Sequence, residues 1–269
     1  MKLLVLVLFL TSMCFANSVT RGTDDISLTL VNDWTTSRKC LGLDVYETDA
    51  YFVVITTEHD NDILKSYDGY TGTAIGTLDL SPSNSSCFGV ACDNDPDTPG
   101  LFTNDFVNNG LYSTFDNGST WNVAENPAGI SGRGMDHDGA DFWEVSVDGY
   151  LRKFQPGGSS QVIDTPISLS DCMGLTVFPY ESNLGIAIAT ESLHEIHFFQ
   201  WDGSDLSFMA SAACPVPDTN YSIGLAYAET TGTMFWSYQD SSADWHIAEF
   251  SFDITSLQRS SWGSIKTSF

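Results

Sequence analysis

The sequence predicts an all-β, five-bladed β-propeller of four-stranded blades, and three observations carry that prediction. Short runs rich in Val, Ile, Phe, Tyr, Thr and Trp alternate with Gly/Asp/Asn/Ser turns, and no amphipathic helix stands out before the C-terminal tail. An apolar strand with a glycine recurs as Leu41-Gly42-Leu43-Asp44-Val45, Phe88-Gly89-Val90, Arg133-Gly134-Met135-Asp136, Met173-Gly174-Leu175-Thr176-Val177 and Ile223-Gly224-Leu225-Ala226. Those glycines are spaced at about 40–50 residues, the length of one propeller blade. Finally, the last unit is one strand short, while a spare strand stands at 26–31, just before the first unit.

The elements follow in order. Blade one takes 41–80, its later strands at 51–58, 62–68 and 74–80. Blade two takes 88–125, with strands at 101–107, 110–116 and 120–125. Blade three takes 133–165, with strands at 141–147, 150–155 and 160–165. Blade four takes 173–211, with strands at 184–190, 195–201 and 206–211. Blade five takes 223–253 and adds only 233–239 and 245–253, so strand 26–31 is expected to complete it. Without that outer strand the fifth blade would expose the edge of its third strand.

The flanks differ from this body. Lys2, the apolar run 3–10 and the small residues ending at Ala16 form the pattern of a signal peptide over 1–16, too short to span a bilayer. The propeller is expected over 17–254 and a tail over 255–269, where Trp262, Ile265 and Phe269 fall at amphipathic spacing beside Lys266. The expected location is therefore secreted, extracellular or periplasmic. Ten Lys+Arg against 35 Asp+Glu give a formal charge of −25, which excludes nucleic acid and anionic membrane surfaces as partners. A hydrophobic fraction of 42% argues for a folded core despite that charge.

One turn carries a recognisable pattern. An aromatic residue followed by Asp and Gly recurs between third and fourth strands, as Tyr67-Asp68-Gly69, Phe115-Asp116-Asn117-Gly118 and Trp201-Asp202-Gly203. There the Asp is expected to cap the turn, the Gly to take a positive φ and the aromatic ring to pack between blades. The stretch Thr114-Phe115-Asp116-Asn117-Gly118-Ser119-Thr120-Trp121 resembles the Asp-box of sialidase-type propellers. The resemblance implies a structural hairpin away from the axial face, and it does not bring sialidase activity with it. That chemistry needs an arginine cluster, and only Arg133 lies on an innermost strand.

Candidate chemistry is expected where the innermost strands meet the axis. Asp44, Asp93, Asp136, His137 and Asp138 fall there, with Arg133 beside them. Asp44, Arg133, Asp136 and Trp143 are the expected ligand-binding residues of a non-catalytic protein that presents its axial face to an extracellular glycan or protein. Aromatic faces stack on sugars, and carboxylates accept bonds from their hydroxyls. The competing reading is a glycoside hydrolase using Asp44, Asp136 and Asp138, which needs two carboxylates about 5–10 Å apart, one of them with a raised pKa. A third reading is a structural or surface-assembly protein that acts through its tail. Asp93, Asp95 and Asp97 alternate as in a calcium loop, making Ca²⁺ the one cofactor suggested; Glu58–Asp62 and Asp136–Asp141 are similar acidic clusters. Cys40, Cys87 and Cys172 each precede a blade glycine by two residues, suggesting a small buried residue, a thiol ring or a Cys40–Cys87 disulfide. Cys214 is the expected free loop thiol.

Overall fold

The computed structural model describes residues 25–82, 84–94, 99–216 and 219–255. The expected signal peptide over 1–16, Asp95, Asp97 and most of the expected tail lie outside them. Among the described residues, twenty strands form five antiparallel four-stranded sheets. Chain order begins with β1 (Asp25–Thr36). Blade one then follows as β2 (Cys40–Thr48), β3 (Tyr51–Glu58), β4 (Ile63–Asp68) and β5 (Ala74–Asp79). Blade two is β6 (Cys87–Asp93), β7 (Gly100–Asp105), β8 (Gly110–Thr114) and β9 (Asn122–Glu125). Blade three is β10 (Gly132–His137), β11 (Phe142–Ser146), β12 (Leu151–Phe154) and β13 (Ser160–Ile163). Blade four is β14 (Cys172–Tyr180), β15 (Asn183–Thr190), β16 (Glu195–Trp201) and β17 (Leu206–Ala213). Blade five is β18 (Thr219–Ala228), β19 (Thr233–Asp240) and β20 (Trp245–Thr255), and β1 pairs with β20 as its outer strand. The N-terminal closure thus occurs as the sequence implies. The closing strand is longer than expected, running to Thr36, with a bulge between Leu30 and Asn32.

The recurring glycines have a common physical reason. Each inner strand loses its regular pairing at the glycine motif: between Cys40 and Leu43, Cys87 and Val90, Gly132 and Met135, Cys172 and Gly174, and Ser222 and Leu225. There the backbones of neighbouring blades meet. A Cβ on Gly42 would strike the Phe88 carbonyl, on Gly89 the Arg133 carbonyl, on Gly134 the Gly174–Leu175 backbone, on Gly174 the Ile223 carbonyl and on Gly224 the Leu41 carbonyl. The circle of close approaches therefore closes blade by blade, and only a residue without a side chain fits.

Polar side chains of the second strands stitch three of these junctions. Thr57 Oγ1 accepts from Gly42 N at 2.7 Å and donates to the Phe88 carbonyl at 2.6 Å. Asn104 accepts from Gly89 N at 2.7 Å and donates to the Arg133 carbonyl at 2.8 Å. Ser237 accepts from Gly224 N at 2.8 Å and donates to the Leu41 carbonyl at 3.3 Å. Each satisfies a buried amide and a buried carbonyl that would otherwise lack a partner.

Below the glycines, the N-terminal ends of the inner strands carry a plug. Leu41, Phe88 and Ile223 cluster there with Met173, Phe106 and Trp245. Beside them Glu144 is wholly buried at the seam of blades two and three. Its Oε1 accepts from Asn104 at 2.6 Å and Asn126 at 2.8 Å, and its Oε2 has no partner. Burial pushes its carboxyl up to about 7 against the bonds from Asn126 and Asn104.

The turn aromatics follow the expectation in part. Tyr67 and Trp201 are buried, but Phe115 stays exposed and meets Phe102 only edge-on. In the hairpin between β8 and β9, Asp116 accepts from Thr120 N at 2.8 Å and Thr120 Oγ1 at 2.6 Å, with Asn117 and Gly118 at positive φ. Asp68 and Asp202 cap their turns in the same way. In the first of these turns the positive φ falls on Gly72 rather than Gly69.

Of the three readings of the repeated cysteines, the small buried residue is the one the structure bears out. All five described cysteines are buried free thiols, so Cys40 and Cys87 form no disulfide, and no thiol ring assembles. Cys214 is a free thiol in the loop after β17, as expected, and it is buried and hydrogen-bonded with Ser222 Oγ at 3.2 Å. Burial pushes Cys40 up to about 11 and Cys87, Cys172 and Cys214 up to about 12. The thiolate is the reactive form, so these positions act as small apolar filling.

Candidate functional site

Above the glycines, at the C-terminal ends of the inner strands, the axis opens into a hollow of about 850 Å³. The position two residues after each glycine is occupied by Asp44, Ala91, Asp136, Thr176 and Ala226, all buried. The two aspartates come from blades one and three and face each other across the axis. Both line the hollow, and they are only 5% and 7% exposed.

Each aspartate also fastens its blade to the next. Asp44 accepts from its neighbour Val45 N at 2.7 Å and, on blade two, from Cys92 N. Asp136 accepts from His137 N at 2.6 Å and, on blade four, from Thr176 Oγ1 and Val177 N, both at 2.7 Å. Burial and the facing charge of Asp136 hold the Asp44 carboxyl well above the ordinary carboxylate range. Burial raises Asp136 to about 6, against the bonds from Thr176, Val177 and His137.

Two further acids of the hollow, Asp138 and Glu47, are also held. Asp138 Oδ1 accepts from Ala140 N at 2.9 Å and Asp141 N at 2.7 Å, and its Oδ2 accepts from Trp143 Nε1 at 2.7 Å. At the rim, the Glu47 carboxylate accepts from Glu229 N at 2.7 Å and Thr230 N at 3.0 Å, joining blade one to blade five. Asp93, His137, Phe178 and Tyr227 add to the wall. The described lining holds no lysine or arginine. It is rich in hydrogen-bond acceptors and negatively charged, which disfavours an anionic ligand and suits one that brings donors.

Asp44, Asp93, Asp136 and Asp138 therefore meet in one hollow, and two expected ligand residues do not. Trp143 is fully buried, edge-on to Trp201 at 5.7 Å, with no face open for stacking. Its place is beneath Asp138, which its indole N–H positions. Arg133 lies at the opposite mouth. Its guanidinium covers Phe88 at 5.1 Å and Phe106 at 5.4 Å and donates to the Gly132 carbonyl at 2.8 Å. It precedes the glycine constriction, whereas Asp136 follows it. Among the described residues, no three His, Cys, Asp or Glu side chains converge as metal ligands, and Asp95 and Asp97 fall outside them.

Sequence reasoning missed the rim. Glu47, Asn94, Gly139, Pro179 and Glu229 each stand five residues after a blade glycine, and all five line the hollow. Counting that offset along the repeats would have found them.

No protein-family model matches the chain, and no curated protein matches it in sequence. Solved structures do share its architecture. Glutaminyl cyclase of Myxococcus xanthus superposes with a TM-score of 0.64 at 10% identity, covering 85% of this chain and 97% of its own. The PQQ-bound aldose sugar dehydrogenase of Streptomyces coelicolor gives 0.60 at 10% identity, covering 86% and 99%. The RS223 β-xylosidase gives 0.58 at 9% identity, covering 81% and 94%. The chain is a five-bladed β-propeller. At these identities the likeness extends to the fold alone, and a propeller scaffold serves many functions.

Proposed function

We propose that this propeller is an exported, non-catalytic binding protein whose axial hollow takes a neutral or amino-bearing extracellular glycan. One observation carries the reading: Asp44, Asp136, Asp138 and Glu47 are each held by hydrogen bonds from the protein itself. Carboxylates fixed in this way are preorganised acceptors for sugar hydroxyls or ammonium groups, with lone pairs to spare. Hydrogen bonds donated to a carboxylate favour its ionised form, which works against service as the protonated general acid of a hydrolase. Export rests on the Lys2 start and the apolar run 3–10.

The hydrolase reading has its own observation, the facing pair Asp44 and Asp136 with raised pKa values. A glycan array separates the two. The full chain is probed against neutral, amino, sialylated and sulfated glycans, with Ca²⁺ and with chelator, while released sugar is assayed in parallel. Binding of neutral or amino glycans without release is expected. Sugar release would make the axial aspartates catalysts, and binding confined to anionic glycans would overturn the proposal. Loss of binding in chelator would put Ca²⁺ in the site and Asp93, Asp95 and Asp97 forward as its ligands.

A further inference from the structure

A second cleft opens on the same face, at the seam of blades five and one. It measures about 590 Å³ and shares Glu47 and Glu229 with the axial hollow. Tyr51 and Tyr70 line it at 64% and 62% exposure, the highest values among the described large hydrophobic side chains. Singly exposed apolar residues are ordinary on protein surfaces, but two aromatic rings flanking one cleft make a platform.

Tyr51 opens β3 and Tyr70 stands on the β4–β5 turn, and the backbone is held at both. Tyr51 N donates to Thr48 Oγ1 at 3.1 Å. Tyr70 N donates to Asp68 Oδ1 at 3.1 Å, and its carbonyl accepts from Asn32 Nδ2, on the closing strand, at 3.4 Å. The Tyr70 ring meets the buried Phe52 edge-on at 4.8 Å. The contact with Phe52 restricts the Tyr70 ring before binding, which lowers the entropy that ring loses on binding.

The cleft's chemistry continues that of the hollow. Glu47, Asp49 and Glu229 bring acceptors, and the described lining has no lysine or arginine. An apolar ring face beside such acceptors, of which Glu47 is fixed by its two backbone bonds, matches a pyranose, whose C–H face is apolar and whose edge carries hydroxyls. Between the two depressions runs the ridge formed by Glu47 and its bonds to the Glu229 and Thr230 amides.

We propose that this cleft is a second sugar subsite, holding the units of an oligosaccharide next to the one seated in the axial hollow. The inference rests on the glycan reading and deepens it. On this assignment Tyr51 and Tyr70 stack on the sugar, and Glu47 serves both subsites. The protein then prefers chains over single sugars.

The test is calorimetric titration of the full chain with cello-, xylo-, chito- and glucosamine oligosaccharides, from monomer to hexamer. Wild type is compared with Tyr51→Ala, Tyr70→Ala and the double variant, and circular dichroism checks folding. Wild-type affinity is expected to rise with chain length, and the double variant to lose roughly tenfold at the longer chains. Tyr70→Phe, which keeps the ring face, is expected to restore most of the loss seen in Tyr70→Ala. Length dependence that survives in the double variant overturns the subsite while leaving the hollow as a sugar site. Silence towards every series, monomers included, removes the glycan reading and the subsite with it.

Discussion

At the N-terminal ends of the five inner strands, the axis is filled by Leu41, Phe88, Met173 and Ile223, with the Arg133 guanidinium lying over Phe88. At the C-terminal ends of the same strands it opens into an acidic hollow around Asp44 and Asp136. One repeated strand thus builds a plug at one mouth and a site at the other. The residue before each glycine is apolar in four blades of five, and the second residue after it is Asp, Ala or Thr. Between them the glycines draw the backbones together and separate the two environments. The difference teaches that stability and recognition share a strand but not a position on it. The plug buries large side chains, while the hollow keeps small and charged ones under restraint.

The most damaging way to break that comparison is to put a side chain into the constriction. Gly174→Val pushes against the Ile223 carbonyl and the backbone of Gly224. It is expected to destabilise the fold by about 3 kcal/mol or more, read as a lower urea midpoint with unchanged slope. A midpoint like that of wild type would show that the constriction tolerates a side chain.

The pH dependence of stability asks which mouth carries the titrating groups. Asp44 and Asp136 at the open mouth and Glu144 beside the plug all have carboxyls raised by burial. Folding therefore favours their protonated forms. Their contribution is complete below about pH 4, near the unfolded values, and is lost as pH rises through the folded ones. Wild type is expected to be less stable at pH 8 than at pH 5. Glu144 rises from an ordinary 4.5 to about 7, so Glu144→Gln is expected to remove about 2 kcal/mol of that difference, the remainder belonging to the open mouth. An unchanged pH profile would take Glu144 out of the account. Denaturant melts at the two pH values decide it.

Trp143→Phe tests the corrected role of the indole. It keeps the buried ring but removes the N–H bond to Asp138. About 1–2 kcal/mol of stability should go, with weaker binding in the hollow as Asp138 loosens. Undiminished affinity would show that Asp138 needs no support from beneath. The smallest effect is expected at Arg133. Arg133→Leu makes the plug uniformly apolar, so stability should shift by less than about 1 kcal/mol and glycan affinity should not move. A loss of affinity would return Arg133 to the recognition face.

Much of this was legible in the sequence. The five glycines marked the blades because close backbone approach admits no other residue. The spare strand before the first blade announced the closure, since the alternative exposes a sheet edge. Asp44 and Asp136 shared an offset from their glycines and so shared a mouth. Arg133 and Trp143 were misplaced for different reasons, and for Arg133 the reason is that proximity along the chain does not say which side of a constriction a residue occupies. Arg133 and Asp136 are three positions apart, roughly 10 Å along an extended strand, with Gly134 and its neighbours' backbones between them. Trp143 lies on a second strand, where alternation turned its ring into the core.

The sequence alone determined the number of blades, their four-stranded make-up and the strand that closes the ring, because repetition and alternation are local properties written along the chain. Tertiary structure decided which acids face each other, which are tied to backbone amides and how the rim residues five beyond each glycine assemble. It also decided that Tyr51 and Tyr70, both of blade one, flank one cleft. Those arrangements depend on how neighbouring blades are angled and spaced around the axis, and distances between separate strands are set only when the ring has closed.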